Sequence, residues 1–178
     1  MRRVSDEGWE ERVRGVVAAI TDGITARSEE LRGLSEDVIR EVELDQPAGL
    51  PEAYRLFLVL IGGGAGRFFQ GSDVYYPRIL GLWESARELL AENESPFVLE
   101  GSDRVILMHQ GYYFDFLRGS GPDPEVWSYE EGSSRGNEPA RSDERFSDWL
   151  HAVAKSEIRA WAALADRQKR SEVREDEP

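Results

Sequence analysis

The sequence predicts an α+β fold: one domain whose central antiparallel-rich sheet, a meander around residues 104–130, is covered by several helices. Three observations predict it. Val105 to Met108 is a short apolar run of strand formers, too short for a helix. After the break at His109-Gln110-Gly111, Tyr112, Phe114 and Phe116 alternate with Tyr113, Asp115 and Leu117, the two-residue period of a half-buried strand. Turn chemistry at Arg118–Pro124 then leads to Val126, Trp127 and Tyr129, a third β-prone segment. Such a meander has one apolar face to cover, and the flanking sequence is rich in helical spacing.

Along the chain, Ser5 with Asp6 and Glu7 reads as a helix start, and Trp9, Val13, Val16, Val17 and Ile20 follow the helical period. Thr21-Asp22-Gly23 ends that helix. Leu31, Leu34, Val38 and Val42 form a second stripe, with Ser35 as a restart. Leu44–Gly49 is a linker by its Pro and Gly. Pro51 suits the first position of a helix running to Ile61, where Tyr54, Phe57, Leu58 and Ile61 share one face, and Gly62-Gly63-Gly64 stops it. Phe68-Phe69 and Val74–Tyr76 read as extended segments across a turn at Gly71-Ser72-Asp73. Pro77 opens a helix that ends near Asn93, and Pro96–Leu99 reads as a further strand. Glu130 to Asp143 is a polar loop. Ser142 caps the last helix, whose face is Phe146, Trp149, Leu150, Val153, Ile158 and Trp161. The organisation expected is an amphipathic segment 1–34, the α+β domain 35–165, and a charged, frayed tail 166–178.

The 178 residues include no cysteine, which excludes disulfides and thiolate metal sites. The start shows no apolar leader and no run approaches the ~18 apolar residues of a membrane span, so a cytoplasmic location without membrane contact is expected. The formal net charge of −13 argues against a nucleic-acid partner and favours a basic protein, which such a field would steer in.

Motifs for chemistry are weak. Gly62–Gly66 follows a helix and lacks a Gly-Lys-Ser or Gly-Lys-Thr, so it reads as a helix stop with close backbone packing rather than a phosphate loop. Gly132-Ser133-Ser134-Arg135-Gly136 matches the spacing around a nucleophilic serine, but Asn137-Glu138-Pro139 prolongs the loop where a helix must begin. The two histidines, His109 and His151, lack zinc-site spacing. No catalytic set, cofactor or metal is expected.

Leu50-Pro51-Glu52-Ala53-Tyr54-Arg55-Leu56-Phe57-Leu58 with Gly62-Gly63-Gly64 resembles the hallmark of the SUKH superfamily, a Leu-Pro-acid-x-Tyr-x-x-Phe-Leu helix ending in a Gly-rich turn. His109-Gln110-Gly111-Tyr112-Tyr113-Phe114 with Asp123-Pro124-Glu125-Val126-Trp127 is similar to the sheet segment of its bacterial members. Phe146 and Leu150 match its terminal helix, while Ile61 stands where many members carry Asn. The resemblance implies helices on an antiparallel-rich sheet and a binding protein rather than an enzyme. In bacteria the usual role is an immunity protein that neutralises a cognate toxin, often a nuclease. The surface expected to meet the partner is Tyr113, Asp115, Trp127, Tyr129, Glu130 and Glu131, with Tyr113 and Asp115 facing out if Tyr112, Phe114 and Phe116 face the core. The alternatives are a regulatory or scaffold module of the same fold with another cytoplasmic partner, and a small hydrolase built on His109 and a buried carboxylate.

Overall fold

The structure, a computed structural model, describes residues 8–134 and 136–175, with side chains up to residue 171. The Ser5 cap expected from the sequence lies outside that range. Helix α1 (Gly8–Ile20) buries Val13, Val16 and Ile20. These three join the same hydrophobic core as the sheet, so the N-terminal segment is part of the one α+β domain.

The second helical stripe is shorter than expected. Leu31–Arg32 is a strand, β1, and α2 (Glu36–Asp45) begins only after Ser35. The reason is close backbone contact with α3 (Glu52–Ile61) and its end. Leu34 N–H donates to the Leu58 carbonyl at 3.0 Å, and Gly63 N–H donates to Arg32 at 2.7 Å. A Cβ at Gly33 would lie 1.9 Å from the Val59 carbonyl oxygen, so only glycine allows this approach. In α3 the predicted face holds: Tyr54, Phe57, Leu58 and Ile61 are all buried. The glycines after it pack closely and feed β2 (Gly64–Ala65), which pairs with β1.

The main sheet has five antiparallel strands in sequence order: β3 (Ser72–Asp73), β4 (Arg104–His109), β5 (Tyr113–Arg118), β6 (Glu125–Glu130) and β7 (Ala140–Asp143). The predicted meander is its centre. The two outer strands were not foreseen, because Ser72-Asp73 reads as a turn and Ala140-Arg-Ser-Asp143 carries no β-forming side chain. Ser142 therefore sits in a strand instead of capping a helix, and 96–99 is irregular chain instead of a strand. Helix α4 (Leu82–Glu92) starts after Gly81, not at Pro77. Beside short β3, the side chain of Gln46 closes the open edge of β4. It donates to the Val105 carbonyl at 3.1 Å and accepts the Val105 N–H at 3.0 Å.

Both faces of the sheet are buried, not one. Phe114, Phe116 and Tyr129 fill one face, and Leu117, Val126 and Asp115 lie on the other, all at 2% exposure or less. Cross-strand pairs Phe114–Tyr129 and Asp115–Ser128 fix this alternation. Tyr112 departs from it. It belongs to the β4–β5 loop, where Gln110 and Gly111 take positive φ, so the strand alternation starts at Tyr113 and Tyr112 is 39% exposed.

Helix α5 (Phe146–Glu175) is far longer than expected and does not fray at Asp166, since Ala, Arg, Lys and Gln there are strong helix formers. The β5–β6 turn satisfies the start of two helices. Pro122 accepts Ala53 N–H at 2.8 Å, Pro124 accepts Phe146 N–H at 2.8 Å, and Asp123 accepts Ser147 N–H at 2.8 Å. Tyr54, Phe57, Phe69, Phe146 and Trp149 then pack ring against ring between α3 and α5. Among the described residues no helix is long and apolar enough to cross a membrane.

Candidate functional site

The six residues expected to form one binding surface are divided by the pleat of the sheet. Tyr113 pairs with Glu130 and Asp115 with Ser128 on one face, whereas Trp127 and Tyr129 lie on the other. Tyr129 is core at 1% exposure, stacked on Phe114 with ring centroids 5.3 Å apart. Half-buried Trp127 donates from its indole to Glu125 at 3.0 Å and lies against the Arg118 guanidinium. Asp115 does not face solvent; it is 2% exposed. The expectation failed because it assumed that the face opposite Phe114 and Phe116 is open, and that face is covered as well.

What the fold brings together is a hydroxyl network over a buried carboxylate. Tyr113 donates to Asp115 Oδ1 at 2.7 Å, and Ser128 also donates to that oxygen. Ser142 on β7 hydrogen-bonds Ser128. Tyr113, Ser128 and Ser142, with Glu130, Ser133 and Glu138, line a cavity of about 110 Å³ at the β5–β6–β7 end of the sheet. Glu130, Glu131 and Glu138 are exposed at its rim. Sequence reasoning missed Ser128, Ser142 and Glu138. Ser128 was legible once Asp115 and its cross-strand partner were in register, but Ser142 and Glu138 depend on β7, which has no apolar signature.

Burial pushes the Asp115 carboxyl up from 3.8 to about 6, against the lowering effect of the Ser128 and Tyr113 hydroxyls, with Asp143 adding repulsion. Burial, reinforced by the Asp115 charge, likewise raises Tyr113. The network thus holds a carboxyl that changes charge at mildly acidic pH, bound to hydroxyls and to no imidazole. His109 is engaged elsewhere, its Nδ1 2.9 Å from the Ser72 hydroxyl, and it meets Tyr112 edge-on. Among the described residues no three His, Asp or Glu side chains gather as a metal ion would require.

A pH dependence follows. Because the folded pKa of Asp115 lies above its unfolded value, the folded state binds the proton more tightly. The favourable contribution is complete below pH 3.8 and is lost as pH rises through about 6. Relative to Asp115→Asn, the native protein is expected to lose about 1–3 kcal/mol in urea melts between pH 4 and pH 7, at 1.36 kcal/mol per pKa unit. Parallel stability curves for the two proteins would show that Asp115 does not carry the shift.

No protein-family model matches the chain, and no curated protein sequence matches it.

Proposed function

We propose that this chain is a non-enzymatic binding protein of the immunity type, similar to the SUKH superfamily, that neutralises a basic toxin by covering it. The observation that carries the reading is electrostatic. The chain has a formal net charge of −13, and at the β5–β6–β7 end Glu130, Glu131 and Glu138 are exposed with no cationic partner among the described residues. Carboxylates already paired within their own chain attract a partner weakly, whereas free ones speed encounter with a basic surface. Tyr112, 39% exposed, and half-buried Tyr113 add aromatic area beside them, the residue type that anchors interfaces. The surface is therefore Tyr112, Tyr113, Glu130, Glu131 and Glu138, without the buried Asp115 and Tyr129. The segments that resemble the superfamily also meet in space: the helix of Tyr54 and Phe57 packs on Phe146, with the Asp123-Pro124 turn capping α5. That supports the resemblance in fold, and the function rides on it.

The test uses the toxin encoded beside this chain's gene. Association with it is expected to be fast at low salt and to slow sharply as salt rises, with dissociation changing less. Glu130→Lys with Glu131→Lys is expected to slow association at least tenfold while circular dichroism stays native. Inhibition of the toxin is expected to saturate at one to one. Complete inhibition at substoichiometric amounts would overturn the reading, because occlusion cannot turn over.

A further inference from the structure

Far from the sheet edge, α1 and α5 lie side by side and run parallel. Arg12 reaches Ser147 at 3.0 Å and Asp148 at 3.1 Å near the start of α5, and Val16 and Ala19 face Ala154 and Ile158 further along. Between the two helices lies a groove of about 320 Å³. Its floor is Val16, Ala19, Ala154 and Ile158, and its lip on α5 is His151, Lys155 and Arg159. Gly15 beside it leaves open space where a side chain would stand.

We propose that this groove docks an acidic amphipathic helix of a partner protein. Two parallel helices with small residues on the near one leave a slot that a third helix fills with side chains at i, i+3, i+4 and i+7. The charge selects the partner. The chain carries 35 Asp and Glu against 22 Lys and Arg, and many of its arginines are bound to neighbouring carboxylates, as Arg12, Arg14, Arg27, Arg55 and Arg118 are. Lys155 and Arg159, exposed and one helical turn apart, have no ion-pair partner among the described residues. From His151 to Arg170 the helix holds Lys155, Arg159, Arg167, Lys169 and Arg170 against only Glu157 and Asp166. Glu157 points away from the lip, accepting the Phe69 N–H at 2.9 Å. A basic lip on an acidic protein repels the cationic partner proposed for the sheet edge and attracts the opposite kind. The charge also disfavours a second copy supplying the distal half of α5. Leu164 there is 44% exposed, but Arg167, Lys169 and Arg170 would face Lys155 and Arg159. A flat anionic bilayer fits a concave slot poorly and is repelled by a chain of net charge −13.

The probe is a fluorescent 18-residue helical peptide with a Leu and Ala stripe flanked by Glu, and its counterpart with Lys in place of Glu. Titrated with the full chain and followed by anisotropy, the Glu peptide is expected to bind at least tenfold more tightly. Lys155→Glu with Arg159→Glu is expected to reverse that order. Ala19→Trp, at an exposed position that fills the slot, is expected to weaken the Glu peptide at least tenfold with far-ultraviolet circular dichroism unchanged. Equal binding of the two peptides, no binding, or indifference to Ala19→Trp would overturn the proposal. So would a dimer seen by light scattering that Ala19→Trp dissociates, or displacement of the peptide by phosphatidylserine vesicles. None of these results depends on the toxin, so the sheet-edge reading stands or falls separately.

Discussion

Replacing Phe57 by alanine is expected to destabilise the protein by about 3–5 kcal/mol, the range for emptying a buried aromatic site. Phe57 is 1% exposed and sits at the junction of three parts of the chain. It stacks on Tyr54 within α3, meets Phe69 from the loop before β3 at 6.3 Å, and meets Phe146 at the start of α5 at 6.1 Å. The surroundings cannot easily collapse into the vacancy. Leu58 is held by backbone bonding to Leu34, and the end of α3 is fixed by glycines with no room for a Cβ at Gly62, which would approach Leu58 to 2.7 Å. A cavity that stays open gives the upper part of the range. Denaturant melts check it: a loss under about 1 kcal/mol would mean that the α3 face is not core.

That face was legible because it is strongly periodic: four large apolar residues at helical spacing between a proline and three glycines leave one sensible placement. The central strands were legible for the same reason at a period of two. What escaped were elements whose signal lies in other parts of the chain. β7 has no apolar residue but alanine and exists because Trp127 and Ser128 offer it a free edge. β1 and β2 are held by glycine-permitted approach to α3, and the extension of α5 past Asp166 comes from helix formers that composition alone marks as a solvated tail. The candidate site failed to assemble for a related reason. Alternation assigned Asp115 correctly to the face opposite Phe114, but whether that face meets water is decided by the rest of the fold, and strand sequence is silent on it. Tyr129 was misplaced more simply, since it shares its face with Phe114 across the ladder and so had to be core.

Asp103→Ala is expected to cost about 3–5 kcal/mol, comparable to the loss of Phe57, through a different mechanism. Asp103 is fully buried at the entry to β4, with 0% exposure. Arg118 at the end of β5 grips it with both arms, Nε to Oδ1 at 2.9 Å and Nη2 to Oδ2 at 2.7 Å. The Glu100 N–H adds a further bond at 2.7 Å. The guanidinium is itself enclosed by aromatic rings, with Phe97 at 4.9 Å, Trp127 at 5.3 Å and Phe116 at 5.4 Å. Removing the carboxylate strands that cation where little water reaches it, because the Arg118 side chain is only 20% exposed. The cost is a desolvation penalty left unmatched, not the net worth of the pair. The two can be separated. Arg118→Met alone leaves a buried carboxylate unpaired and is expected to be as damaging as Asp103→Ala. Asp103→Ala with Arg118→Met removes both charges, and Met still covers the rings, so the double variant is expected to be more stable than either single one. Urea melts of the four proteins complete the cycle. Single losses that simply add in the double variant would show that the two residues act independently and that this ion pair does not tie the start of β4 to the end of β5.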